Sequence, residues 1–118
     1  MEDYRDLLVW QKSMELVKQV YIVTRLLPQE EDFVLTSQLR RAVNSIPSNI
    51  AEGYGRHSRN DYLRFLNIAR GSKNEFETQF QICLMLNYLK PEAIAVAQSV
   101  CTEVGKMLNA LITSIDNA

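Results

Sequence analysis

The chain has 118 residues, of which 47% are hydrophobic, and this length and composition are typical of one globular domain with a single core. The formal net charge of −1 argues against a generic nucleic-acid-binding protein, for which an excess of lysine and arginine is expected. No apolar run approaches the ~20 residues of a membrane span, and the opening MEDYRDLLVWQ lacks the basic start and apolar centre of a signal peptide, so the sequence predicts a cytoplasmic protein without a membrane partner.

Hydrophobic residues recur at helical spacing along the chain, and strand signals are nearly missing. The first helix is predicted from Tyr4 to Leu27, and Pro28 ends it. The connector PQEEDFV is compatible with one helical turn of its own. The second helix is predicted from Leu35 to Tyr54.

Pro47 lies inside the predicted second helix. A proline there removes one backbone hydrogen bond, and its ring clashes with the carbonyl of Val43, which predicts a kink. A break into two helices is the alternative. The apolar periodicity of Ile46 and Ile50 continues across the proline and weighs against a break.

The third helix is predicted from Asn60 to Leu89, after a turn that contains Gly53 and Gly55. Either Ser58 or Asn60 is suited to be its N-cap residue.

Gly71 lies in the middle of this helix and costs about 1 kcal/mol relative to alanine. It indicates either close approach of another backbone, which we favour, or a contact surface for a ligand.

The fourth helix is predicted to begin at Pro91, where a missing N–H group does no harm. Apolar residues at alternating steps of three and four form a heptad seam along it: Ile94, Ala97, Cys101, Val104, Leu108, Leu111 and Ile115. Four helices with short links predict one all-α domain over residues 1–118. Its expected architecture is an up-down-up-down antiparallel four-helix bundle, left-handed, with a kinked second helix.

Polar stripes follow the second and third helices, although an ordinary amphipathic helix needs no such row. The stripe on the second helix comprises Gln38, Arg41, Ser45, Asn49 and Glu52, and the stripe on the third comprises Ser72, Glu75 and Gln79. If the two helices fold back antiparallel about Ser58, Arg41 meets Glu75, and Glu52 meets Arg64. The sequence therefore predicts two ion pairs between the helices.

The two stripes are either exposed to solvent or form a partly buried polar seam, within the subunit or between subunits. Small residues such as Ser45 and Ser72 are poor choices for a solvated helix face, which favours the seam. Polar groups buried in such a seam must be hydrogen-bonded to one another.

No constellation for catalysis or metal binding is apparent. His57 is the only histidine, and no glutamate precedes it by three residues as in the Glu-x-x-His pairs of di-metal bundles. Cys83 and Cys101 lie at apolar helix positions without a histidine in register, which predicts two reduced core thiols. The segment from Gly53 to Gly55 lacks the lysine and the strand of a phosphate loop. The sequence predicts a protein that is not an enzyme and that holds no metal or cofactor.

Positive charge is concentrated between residues 36 and 75, where arginine and lysine outnumber acidic residues. In the turn GYGRHSRNDYLR the cations are interleaved with tyrosines, a pattern that suits a nucleic-acid backbone with unstacked bases. A solvated loop is the alternative. Arg40 lies away from the polar stripe and is expected to face solvent or a partner. The candidate nucleic-acid-binding residues are Arg40, Arg56, His57, Arg59, Arg64 and Arg70.

Several segments resemble the proteins encoded in intervening sequences of bacterial 23S rRNA genes. They are QLRRA at 38–42, SIPSNIAEG at 45–53 with the following Arg56 and Ser58, IARGSKNE at 68–75, and the flanking VWQKSMELVKQVY and LNYL. The resemblance implies a four-helix-bundle subunit without enzymatic activity that forms a ring-shaped homo-oligomer, a pentamer. It also implies kinship with the accessory variability determinants of diversity-generating retroelements, which bind nucleic acid and a reverse transcriptase through basic surfaces.

Two hypotheses for function follow. In the first, an oligomeric bundle binds structured RNA or DNA through its arginines, and assembly multiplies a modest basic patch. In the second, the polar seam sets subunit register in a protein-interaction scaffold whose partner is another protein, such as a reverse transcriptase.

Overall fold

A computed structural model describes residues 3–117 and contains four long α-helices, with no strand in that range. The helices are α1 (Leu8–Thr24), α2 (Leu35–Tyr54), α3 (Arg59–Met85) and α4 (Pro91–Asp116). α1 and α3 each pack against both α2 and α4, whereas the diagonal pairs do not contact each other. The all-α four-helix bundle with consecutive helices as neighbours is therefore confirmed. Residues 1, 2 and 118 of the predicted domain lie outside the described residues.

The core runs the length of the bundle, which measures 45 × 24 × 22 Å. Each helix contributes side chains at steps of three and four, as the amphipathic pattern predicts. The largest fully buried side chains include Leu16, Leu39, Ile46, Phe76, Phe80, Ile94 and Leu108. Cys83 and Cys101 are free and buried in this core. Burial raises the pKa of the Cys83 thiol to about 11 and that of the Cys101 thiol to about 12.

α1 is shorter at both ends than predicted. A separate 3₁₀ turn covers Tyr4–Asp6 because the Asp3 carboxylate accepts a hydrogen bond from the Arg5 N–H at 2.8 Å and caps that turn instead. At the other end the last turn tightens, with Leu27 N–H donating to the Thr24 carbonyl at 3.2 Å just before the proline. A second 3₁₀ turn, Gln29–Glu31, occupies the connector, where one helical turn was expected.

α2 has the predicted bounds and continues through Pro47, whose side chain is buried. The alternative of a break into two helices is therefore excluded, and the kink stays a prediction.

Ser58 is the N-cap residue of α3, since its hydroxyl accepts a hydrogen bond from the Asp61 N–H at 3.0 Å.

α3 ends at Met85, four residues earlier than predicted, because Asn87 adopts a left-handed conformation with φ of 61°. The Tyr88 N–H donates to the Cys83 carbonyl at 2.9 Å, and the Asn87 N–H donates to the Leu84 carbonyl at 3.0 Å. These two bonds form a Schellman motif, which satisfies the last carbonyls of the helix.

The close helix approach occurs at Gly53 and not at Gly71, so that prediction is wrong. A Cβ added at Gly53 would lie 2.8 Å from Phe65 Cβ, whereas one added at Gly71 would meet nothing within 4 Å. Gly71 is exposed on α3, one turn before the residue Glu75.

Candidate functional site

The polar stripes of α2 and α3 face each other between the two helices. The Ser45 and Ser72 hydroxyls lie 2.8 Å apart and share a hydrogen bond. The Asn49 amide donates to the carbonyl and to the hydroxyl of Ser45, each at 2.8 Å. Since all three side chains are half-buried, the centre of the seam is a connected network within the subunit.

Beside this network, an open groove with a volume of about 590 Å³ lies between α2 and α3. Its lining is Gln38, Arg41, Ala42, Ser45, Ser72, Glu75 and Gln79. The structure thus brings most of the predicted seam together around one groove. Asn49 and Glu52 lie beyond it, toward the turn between the helices.

Arg41 and Glu75 line the same groove but form no direct ion pair, since no such N···O contact within 4.0 Å occurs in residues 3–117. An Arg41 Nη2 donates only a long hydrogen bond of 3.5 Å to the Ser37 hydroxyl. A Glu75 oxygen accepts a hydrogen bond from the Gln79 amide at 3.2 Å. The predicted ion pair is therefore wrong, because each charged group contacts a residue one turn away on its own helix.

The second predicted ion pair, Glu52 with Arg64, is wrong for the same reason. Glu52 pairs with Arg56 at 3.2 Å, and Arg64 pairs with Asp61 at 3.8 Å. Partners three or four residues apart on one helix lie within reach without fixing any tertiary geometry.

Gln79 forms the inner wall of the groove and is only 7% exposed. Its Nε2 is bonded to Glu75, but its Oε1 is buried without a hydrogen-bond partner among the described residues. A buried acceptor without a donor is costly, so the groove as it stands is incompletely satisfied.

The basic turn brings four of the six candidate nucleic-acid-binding residues to one end of the bundle. Arg56 and Arg64 both lie over the Phe65 ring, at 4.9 and 4.5 Å from its centroid. Arg59 reaches the end of α4, where its Nη2 lies 3.9 Å from an Asp116 carboxylate oxygen. His57 is exposed in the turn itself.

The aromatic rings at this end are engaged within the protein. Tyr54 and Tyr62 are half-buried and pack edge to face at 6.1 Å. Burial, followed by the neighbouring Tyr54, raises the pKa of Tyr62. Because two guanidinium groups also cover Phe65, the turn offers its cations to a ligand more readily than its rings.

The other two candidates lie elsewhere on the bundle. Arg40, half-buried and roughly 20 Å along α2 from the turn, donates to the Thr24 hydroxyl at 3.0 Å and stacks on Tyr21 at 4.6 Å. Arg70 donates to Asn67 at 2.6 Å and to Asn109 at 3.2 Å. Arg40 therefore links α2 to α1, and Arg70 links α3 to α4, so the six residues do not form one surface.

Within the described part of the chain, no cluster of three or more histidine, cysteine, aspartate or glutamate side chains is placed to hold a metal ion. None of the helices described there has a long enough apolar stretch to cross a membrane.

The family model described as 23S rRNA-intervening sequence protein matches residues 5–110, which is most of the chain. The chain belongs to this family. The intervening-sequence protein is also similar to a crystal structure of a protein of unknown function from the S23 ribosomal protein family of Bacteroides thetaiotaomicron VPI-5482. That similarity has a TM-score of 0.81 and 29% sequence identity, and it covers 89% of this chain and 98% of that chain. No functionally curated protein matches the sequence significantly.

Two residues that shape the sites of this intervening-sequence protein were not identified from the sequence. The apolar spacing of α3 indicates a packing role for Phe65, whereas in the structure its ring also lies beneath the Arg56 and Arg64 guanidinium groups. Gln79 was assigned to the polar stripe, and nothing in the pattern indicates that its oxygen is buried without a donor.

Proposed function

We propose that this intervening-sequence protein is a non-enzymatic, homo-oligomeric helical bundle that binds RNA or DNA at the basic turn between α2 and α3. The observation that carries the proposal is the grouping of Arg56, His57, Arg59 and Arg64 at one end of the bundle, with Phe65 beneath two of them. Guanidinium groups held in this way match the geometry of phosphate oxygens.

Each of these arginines also has an acidic neighbour, namely Glu52, Asp116 or Asp61. These pairs are solvent-exposed, and exposed ion pairs contribute only about 0.2–1 kcal/mol. A guanidinium carries five N–H donors, so the carboxylate contacts of Arg56 and Arg64 leave further donors for phosphate. The turn of one subunit is nevertheless close to neutral, and its affinity for nucleic acid is expected to be weak.

Assembly into a homo-oligomer is expected to raise the affinity for nucleic acid. In a ring of five subunits, which the family resemblance implies, five copies of the turn lie on one circle because cyclic symmetry makes them equivalent. Several weak phosphate contacts then act on one nucleic acid at a high effective concentration. Since the available groups are cations, we expect backbone recognition with little base specificity.

The experiment is a binding titration of a fluorescently labelled structured RNA, and of the same sequence as duplex DNA, at salt concentrations from about 50 to about 200 mM. The wild-type affinity is expected to fall as salt rises. The Arg56→Ala/Arg59→Ala variant is expected to bind at least about tenfold more weakly, with a shallower salt dependence, because phosphate contacts are lost.

The matched control is Lys90→Ala/Lys106→Ala, which removes the same charge from exposed positions away from the turn. This control is expected to retain most of the wild-type affinity. Equal, salt-insensitive binding by all three proteins contradicts the nucleic-acid proposal.

A second candidate is a protein-interaction scaffold whose subunit register is set by the α2–α3 groove, where within the described chain the buried Gln79 Oε1 has no donor. Nuclease treatment during purification separates the two functions. Bound material that disappears with nuclease supports nucleic-acid binding, whereas a protein partner that survives nuclease supports the scaffold.

A further inference from the structure

We infer that the α2–α3 groove is a subunit contact in which a second copy of this chain docks the outer side of its α1. This inference rests on the oligomeric part of the proposed function and names the surfaces that form the contact. Both surfaces carry charged groups without ion-pair partners among residues 3–117, and the charges on one surface are complementary to those on the other.

Three polar groups of the groove have incomplete interactions within the described chain. Arg41 has spare N–H donors, Glu75 has no cation within ion-pair distance, and the buried Gln79 Oε1 has no donor. A phosphate backbone does not complete these interactions, because Glu75 repels it. A protein surface that carries both charges does.

The α3 side of the groove also has room for a neighbouring chain. Gly71 is exposed, and apart from its own helix backbone no atom of residues 3–117 lies within 4 Å of an added Cβ, although glycine weakens a helix relative to alanine. Ile68, one turn away on the same face, is 40% exposed. Open space beside an exposed apolar side chain is compatible with a covered surface.

The outer side of α1 carries the complementary groups. Lys18 and Arg25 are exposed, and neither has an ion-pair partner among residues 3–117. Between them lies Ile22, which is 45% exposed, and Leu26 follows at 62%. These cations suit Glu75, and the apolar side chains suit Ile68.

Acidic groups for the groove arginine lie just beyond α1, in the connector. Glu30 and Asp32 are exposed and flank the turn that leads to Phe33, whose side chain is 95% exposed. Neither carboxylate belongs to an ion pair of the described chain. The α1 side therefore provides anions for Arg41 as well as cations for Glu75.

The contact between these surfaces is head to tail. α1 is diagonal to α3 and does not contact it, so the outer side of α1 and the groove face different directions. When subunits associate through two different surfaces, a linear assembly has one unoccupied surface at each end. A closed ring has no ends, so every groove and every α1 side is occupied.

Two variants that each block one surface test this arrangement by light scattering. Gly71→Trp fills the space beside the groove, and Ile22→Arg replaces the apolar centre of the α1 side. Both positions are exposed, so each variant is expected to keep the helical circular dichroism of the wild type. Each alone is expected to be a monomer at a concentration where the wild type is an oligomer.

The decisive sample is the equimolar mixture of the two variants. The intact α1 side of one variant can dock in the intact groove of the other, so the mixture is expected to form a dimer that cannot grow. The control, Ser99→Trp on the exposed side of α4, is expected to keep the wild-type mass.

A Gly71→Trp protein of wild-type mass, or a mixture that stays monomeric, overturns the inference while leaving the oligomer itself standing. A monomeric wild type overturns both the inferred contact and the homo-oligomer of the proposed function. The nucleic-acid proposal has its own test in the Arg56→Ala/Arg59→Ala titration, because those residues lie outside both surfaces.

Discussion

Among the glycines, Gly53 is the one where an added methyl group meets the most rigid obstacle. A Cβ there would lie 2.8 Å from Phe65 Cβ and 3.1 Å from the Tyr62 ring. Phe65 Cβ is bonded directly to the backbone of α3, so no side-chain rotation moves it away. Gly53→Ala therefore forces α2 and α3 apart next to the basic turn.

The magnitude follows from two opposing effects. Overpacking of a tightly packed site costs about 1–3 kcal/mol, and alanine gains up to about 1 kcal/mol over glycine inside a helix. We expect Gly53→Ala to lower the free energy of unfolding by about 1–2 kcal/mol. In urea, this corresponds to a midpoint lower by about 1 M.

The assay is urea unfolding followed by circular dichroism at one protein concentration, with Gly55→Ala as the matched control. A Cβ at Gly55 makes only ordinary contacts at 3.7 and 3.8 Å, and its φ of −77° suits alanine. Gly55→Ala is expected to match the wild type or to exceed it by up to about 1 kcal/mol. If Gly53→Ala is as stable as Gly55→Ala, the tight approach of α2 and α3 at this end is refuted.

Three further predictions concern the cap of α3, the core thiols and the seam. Asn87→Ala is expected to lose about 1 kcal/mol in urea unfolding, because alanine is strained at the left-handed φ of 61°, whereas Asn87→Gly should lose nothing. Cys83 and Cys101 have folded pKa values of about 11 and about 12, raised from 9.0, so burial favours the thiol form; this stabilisation is complete below pH 9 and is lost as pH rises toward those values. At pH 8 both should resist a thiol-specific reagent until urea unfolds the protein, and rapid reaction of the native protein contradicts the buried core positions. A double-mutant cycle of Ser45→Ala and Ser72→Ala should give a coupling of about 0.5–1.5 kcal/mol, and additive effects contradict the hydroxyl bond.

The sequence predicted the features that depend on periodicity. The bounds of α2 match because its apolar face is continuous from Leu35 to Tyr54 and Pro47 does not interrupt it. Folding the two helices back about Ser58 places the two polar stripes opposite each other, and in the structure Arg41 and Glu75 line one groove. Spacing along a helix fixes which residues share a level, so the register of the seam was predictable.

The features that depend on competition between partners were not predictable from spacing. Both predicted ion pairs between α2 and α3 are wrong because each of the four charged groups contacts a partner within four residues on its own helix. The end of α3 was misplaced because Asn87, and not a glycine, adopts the left-handed conformation. Sequence spacing does not show which of several reachable partners a flexible side chain selects.

The candidate site was predicted in part. The pattern identified the groove residues Arg41, Ser45 and Glu75 and the grouping of basic residues in the turn. It also included Arg40 and Arg70 in one arginine surface, but the structure uses these two to link neighbouring helices. A long arginine side chain reaches across a helix interface, and its destination depends on acceptors that only the fold brings near.

The most direct test of this account compares the subunit number of wild-type protein and Gly71→Trp by light scattering at one concentration. An oligomer for the wild type and a folded monomer for Gly71→Trp are predicted, since the tryptophan occupies space that a neighbouring subunit requires. Equal subunit numbers for the two proteins, with unchanged helical content, contradict the assignment of the α2–α3 face as the contact on which assembly depends.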